Sequence, residues 1–192
     1  MAGVRKKLLE KTRSDLLQQA RNLFAQYGYA NTAMEQLTSQ IGLTRGALYH
    51  HFGNKKGLFL AVVEMIDSEM ADRLNNATLN ARSPLEALKN RANCYLDMAL
   101  ESDIQRIMLR DAYSVLDTQQ LQLATQSCVT AISTLLFEID NGVSVTHKAH
   151  AHFINGGLTS LAIWIANHHD AEQAVFEAKN TANTLINNLI SS

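Results

Sequence analysis

Apolar residues recur at three- and four-residue spacing along most of the chain, the repeat of helices buried on one side. The first stripe, Leu17, Ala20, Phe24 and Tyr27, predicts a helix over about 8–28 that stops at Gly28. Thr32 is placed to cap a short second helix ending near Ile41. Gly42-Leu43 makes a tight turn, and Thr44 caps a third short helix, Arg45 to His51. Gly53-Asn54 then breaks the chain before a long helix from Lys55 to about Asn80. Ser83-Pro84 is the clearest boundary: serine caps, and proline sits where a helix needs no N–H. The helix after it turns Leu85, Leu88, Ala92, Tyr95 or Leu96, and Ala99 inward. A shorter helix over roughly 103–114 follows. The next, over about 118–140, carries Leu121, Ala124, Cys128, Ile132, Leu135 and Ile139 on one side and ends at Asn141-Gly142. Thr146 and Asp170 cap the last two helices. No segment alternates with period two. The expectation is an all-α chain of about nine helices: an N-terminal three-helix helix-turn-helix domain over 1–54 and a C-terminal helical domain over 55–192.

Composition narrows the classes. One proline and nine glycines in 192 residues leave too little turn punctuation for a β-sandwich. Two cysteines, Cys94 and Cys128, are too few for a disulfide framework and fit a reducing cytoplasm. The uncharged stretches 118–137 and 149–169 carry glutamines, histidines and asparagines, so they read as buried helices, not membrane spans. Leu8-Leu9 runs straight into Glu10 and Lys11, which rules out a signal-peptide core there. The net charge of −1 argues against a nucleic-acid partner until it is split along the chain. Residues 1–60 hold nine basic and three acidic side chains, a surplus of six; the remaining eight and fifteen leave a deficit of seven. A basic head is joined to an acidic body.

Residues 32–52 have helix-turn-helix form. Leu37 and Ile41 give the first helix an apolar face, and Leu43, Leu48 and Phe52 give one to the second. Gly46 and Ala47 are short enough to let the second helix approach base edges closely. Thr44, Arg45, Tyr49, His50 and His51 supply donors around that surface, with arginine the side chain best suited to guanine. Tyr49, His51 and Lys55 are better placed to hold phosphates, which position a protein without specifying sequence. Thr32, at the head of the motif, completes the candidate DNA-binding set.

The run Gly42-Leu43-Thr44-Arg45-Gly46-Ala47-Leu48-Tyr49-His50-His51-Phe52, followed by Lys55 and Leu58-Phe59, resembles the N-terminal domain of the TetR/AcrR family of bacterial transcriptional regulators. With Ala20, Phe24 and Gly28 the likeness spans about residues 12–60. It departs from the family at Leu37-Thr38, where Ile-Ala is common, and at Lys56, where an acid is common. The resemblance implies a cytoplasmic homodimer that binds a palindromic double-stranded operator, most simply as a repressor, and lets go when a small molecule enters the C-terminal domain. It also implies DNA contact at Thr44, Arg45, Ala47, Tyr49, His51 and Lys55.

The C-terminal two-thirds carries weaker signals. Val175, Ala178, Ala182, Leu185 and Leu189 repeat as a packing seam, and Ile154, Leu158, Leu161, Ile165 and His168 do so on the helix before. The apolar members of both rows are the candidate dimer interface, with Gly156-Gly157 allowing close approach. Large or soft side chains on the central helices, Met65, Tyr95, Met98, Met108, Tyr113, Phe137 and Trp164, are candidates to line a pocket for an apolar or aromatic effector. His147, His150 and His152 cluster at a helix start without the matching cysteine or carboxylate spacing of a metal site, and both cysteines fall on apolar helix faces, where buried inert thiols are expected. No nucleophile–base pair or phosphate loop appears, so neither enzyme activity nor a cofactor is expected. A protein partner docked on the C-terminal domain is the alternative to a small effector.

Overall fold

Helix ends in this chain are set by local side-chain chemistry. In the computed structural model, which describes residues 2–41, 44–143 and 145–190 (the backbone alone for 2–12, 41, 47 and 124), nine α-helices and one π-helical segment are seen among the described residues. The Gly42-Leu43 turn and the side chains of Ile41, Ala47 and Ala124 lie outside them. Helix α1 (Ala2–Asn31) is broken at Gly28, whose φ of 76° and ψ of 162° belong to a region that glycine alone enters freely. Helices α2 (Met34–Ile41) and α3 (Arg45–Phe52) follow. Asn54 accepts the Gly57 N–H at 2.8 Å to start α4 (Lys55–Asn76), which ends four residues before the expected stop in a series of tight turns. Ser83 accepts the Glu86 N–H and Pro84 opens α5 (Pro84–Met98). Asp117 and Gln120 form a reciprocal capping box at α7 (Thr118–Ile139). Thr146 precedes α8 (His147–Asn167) without the expected side-chain cap bond, its hydroxyl lying 3.4 Å from His150 Nδ1, whereas Asp170 accepts the Gln173 N–H ahead of α9 (Ala171–Ile190).

One expected α-helix is of another kind. Residues Ile104–Asp111 form a π-helix that runs into the short α6 (Ala112–Val115), and the Ala112 N–H bonds to the Ile107 carbonyl five residues back. On an α-helix, residues five apart face about 140° away from each other. The wider turn brings Arg106 and Asp111 together on the side that meets α1.

Two packing units share one connected core. In the smaller, Leu17, Ala20, Leu23 and Phe24 of α1 pack with Leu37, Leu48, Leu58 and Phe59. Tyr29, just past the Gly28 break, folds its ring against Phe24 and Phe59. That occupies the space expected for Tyr27, which is left exposed. In the larger, α5, α7, α8 and α9 bundle together around Leu88, Leu96, Ile132, Leu158, Ile165 and Ala178. Helix α4 packs against both units, and the π-helical segment lies between α1 and α8.

Candidate nucleic-acid interface

Helix α3 is anchored by Leu48, fully buried, and by Phe52, packed on the same core. Complete burial of a leucine contributes about 2 kcal/mol. With positions 48 and 52 inward, Thr44, Arg45, Gly46, Tyr49, His50 and His51 are exposed. A Cβ added at Gly46 would meet nothing within 4 Å. The Arg45 guanidinium stands 3.6 Å from Glu35 on α2 and 5.8 Å from the Tyr49 ring, both weak holds on an exposed side chain. Thr32 is not part of this surface. It is fully buried, its hydroxyl donates to the Gly28 carbonyl at 2.7 Å, and Gln36 reaches back to the Ala33 N–H at the start of α2. The expected cap and DNA contact at Thr32 therefore give way to a bond that closes the α1–α2 corner. Lys55 is half-buried, its ammonium 4.5 Å from the Tyr29 ring centre and donating to the Ala30 carbonyl at 3.4 Å. Burial lowers its pKa.

Two basic residues counted with the head turn towards the body instead. Arg21 bridges Glu69 and Asp103, each at 2.6 Å, and Lys56 pairs with Asp117 at 3.3 Å. A third link crosses at the Gly28 break. Asp111 accepts the Tyr29 N–H at 2.6 Å and faces Arg106 at 3.4 Å, while Arg106 donates to the Tyr27 carbonyl. The Arg106 guanidinium lies so close over Gly28 that a Cβ there would fall 1.7 Å from its Nη2. Head and body are thus tied through the π-helical segment.

The other side of that segment walls a cavity of about 80 Å³ between α4, α5, α7 and α8, lined by Met108, Leu109, Ala112 and Tyr113 and, opposite, by Tyr95, Asp67, Arg91, Cys128 and Thr159. Tyr95, Tyr113 and Thr159 line it together, and burial pushes the Tyr95 phenol up to about 12. Of the pocket candidates, Tyr95, Met108 and Tyr113 line this space. Met98 is fully buried core and Met65 is packed against that core, and neither lines the void. Phe137 is exposed beside Gly142 and His147, on an open groove along α7, and Trp164 lies half-exposed against His168. Burial raises the Cys94 thiol, the opposite of what a reactive thiolate needs. His147 pairs with Asp140 at 2.8 Å, and among the described residues no cluster of three metal-ligating side chains is found.

The expected interface rows divide. Ile154, Leu158, Ile165, Val175, Ala178 and Ala182 are buried within the chain itself, where α9 packs against α5 and α8. Ile154, Gly157, Leu158, Leu161, Ala182, Leu185 and Leu189 line an apolar groove of about 90 Å³ between α8 and α9. Within it Phe153 and Leu185 are more than half exposed. Phe153 is part of this face and falls outside the expected rows.

Residues 16–62 match the family described as bacterial regulatory proteins, tetR family, and residues 85–189 match the tetracyclin repressor-like C-terminal domain. A solved TetR-family transcriptional regulator from Pectobacterium atrosepticum is 39% identical, covers 93% of this chain and 94% of its own, and superposes with a TM-score of 0.79. The chain belongs to the TetR family. Its members are DNA-binding transcriptional regulators. Among curated relatives, the transcriptional repressor AcnR of Corynebacterium glutamicum is 39% identical over 61 residues, and the matched stretch spans 32% of each chain, so that likeness concerns the head. The transcriptional regulator FadR of Bacillus subtilis, solved with stearoyl-CoA, shares the fold at a TM-score of 0.75 with 14% identity, covering 91% of this chain and 97% of its own. In this TetR-family chain no helix among the described residues is long and apolar enough to cross a membrane.

Sequence reasoning missed Arg91, although a signal was present. Leu88, Arg91 and Tyr95 fall at 3–4 spacing on one face of α5, so a charge stands in the row of inward positions. It also missed Asp67, Thr125, Asn155 and Thr159 as cavity lining, for which single polar residues on long helices give no distinguishing pattern.

Proposed function

We propose that this TetR-family chain is a cytoplasmic, ligand-responsive repressor with a reading head over 1–54 and an effector and dimerisation body over 55–192. The observation that carries the reading is the outward row Thr44, Arg45, Gly46, Tyr49, His50 and His51 on a helix rooted by Leu48. Two copies would set α3 of each into successive major grooves of a palindromic operator, about 34–36 Å apart. Arg45 would read a base edge, Tyr49, His51 and Lys55 would hold phosphates, and Ala47 would lie near the groove floor. A second copy of the chain, covering Phe153, Leu161, Leu185 and Leu189, fixes that separation.

Release follows from the junction. The π-helical segment carries Met108 into the cavity and Arg106 and Asp111 onto the Gly28 break. A small effector, largely apolar, that prefers a shifted segment would move α1 and alter the spacing of the two heads. Coupling of this kind is typically about 1–3 kcal/mol. The test is titration of the full chain onto labelled duplex from beside its own coding sequence, read by fluorescence anisotropy at rising salt. With one phosphate-neutralising lysine, Lys55, on each of two heads, affinity should fall at least about tenfold between roughly 50 and 200 mM salt. Affinity indifferent to salt would overturn the reading. Sedimentation of the isolated chain as a monomer would favour a different protein as the partner for the apolar face.

A further inference from the structure

Arg91 is a charge without a counter-ion. It is only 5% exposed, and among the described residues no carboxylate lies within 4 Å of it. Its Nη1 donates to Asn75 Oδ1 at 3.0 Å and its Nη2 faces the Cys128 sulfur, a weak acceptor, at 3.7 Å. Its Nε–H is buried with no partner. Removing a guanidinium from water without compensation is costly, and arginine cannot shed its charge to escape the cost. The neglected edge, Nε with Nη2, is the one on which arginine makes side-on, two-point pairs with carboxylates.

Arg91 borders both the 80 Å³ chamber and a smaller adjoining one of about 10 Å³ between α5, α7 and α8. Asp67 shares the larger chamber but is out of ion-pair range, and burial raises its pKa, which disfavours its charged form. The rest of the wall is largely apolar: Val63, Met70, Leu74, Met108, Leu109 and Leu121. The volume is about half of the roughly 150 Å³ that admits benzene. One cation, an acid nearby and a small apolar space suit a compact monoanion better than a phosphate dianion.

We propose that the cavity binds a small carboxylic acid, with its carboxylate on Arg91 and its short apolar body against Met70, Leu74 and Met108. This rests on the effector reading for its consequence at the operator, and stands on its own as a binding site. Acetate and propionate, each against its neutral amide, are the probes for the full-length protein. Binding is read by thermal melting and by the Arg91 Nε–H resonance. The acids should bind at least about tenfold more tightly than the amides and shift that resonance. Arg91→Gln should remove the preference, and Arg91→Lys, which keeps charge but loses the fork, should weaken it. Should the glutamine variant fail to fold, the lysine variant and the resonance decide the matter. Equal binding of acid and amide, no binding by either, or an unchanged preference in the variants overturns the proposal. Acids that bind through Arg91 yet leave operator affinity unchanged would keep this site and refute the effector reading. Release of the operator by the amides as readily as by the acids would do the reverse.

Discussion

Replacing Gly28 by alanine tests the head–body junction at a single atom. At φ 76° and ψ 162° a Cβ is strained by about 1–3 kcal/mol whatever surrounds it. The added methyl would also fall 1.7 Å from Arg106 Nη2 and 2.4 Å from its Cζ, so the guanidinium must swing away. It then loses its bonds to the Tyr27 carbonyl and Asp111, both at 3.4 Å. Being long and partly solvated, these are worth about 1 kcal/mol together. Gly28→Ala should therefore cost about 2–4 kcal/mol, which lowers the melting temperature by about 5–15 °C for a chain of this size. Arg106→Ala alone should cost about 1 kcal/mol for the same two bonds. Because alanine at position 28 has already displaced Arg106, the double variant should be no less stable than Gly28→Ala alone. Urea unfolding of the four proteins, followed by circular dichroism, measures the cycle. A double variant destabilised by the full sum, or a Gly28→Ala protein within about 0.5 kcal/mol of the parent, would refute this account of the junction.

Other expectations follow from the same geometry. Arg45→Ala should relax base preference at one position of each half-site, whereas Lys55→Ala should weaken all duplexes alike and reduce the salt slope by about one per head; competition binding against single-base variants separates the two. Leu185→Lys, on the exposed apolar face of α9, should leave the fold intact and convert dimers to monomers in sedimentation; an unchanged mass would move the interface elsewhere. The Asp117 carboxyl is held below its ordinary 3.8, first by the Gln120 backbone N–H and then by Lys56. Its contribution is present above that ordinary value and is lost as pH falls through the lowered one, so the melting temperatures of the parent and Asp117→Ala should converge on acidification. A gap that stays constant down to about pH 2 would contradict the linkage.

Helix boundaries were legible wherever a short-range rule sets them. Gly28, Asn54, Ser83-Pro84 and Asp170 each act on backbone groups a few residues away, and each does so in the structure. The exposed face of α3 was legible for the same reason, since Leu48 and Phe52 fix which side turns inward. Thr32 misled because a hydroxyl before a helix can accept from an amide or donate to a carbonyl, and burial against Gly28 selects the second. The seam of Val175, Ala178 and Ala182 correctly signals a packed helix, but periodicity does not say which chain supplies the partner; here α5 and α8 of the same chain cover much of it. The π-helix left no trace at the sequence level, because the i→i+5 bond depends on where α1 and Asp111 meet in space. The charge split was real but incomplete: Arg21 and Lys56 join the two halves instead of facing outward.

The most direct test of the central claim is selection of bound duplexes from a random pool by the full chain, followed by sequencing. If two heads read DNA through α3, the enriched sequences hold inverted half-sites with centres about 10 base pairs apart, or a multiple of that. The same selection with Arg45→Ala should blur one position in each half. Enrichment of a single asymmetric site, or none above random duplex, would contradict a dimer reading DNA through Arg45 and its neighbours on α3.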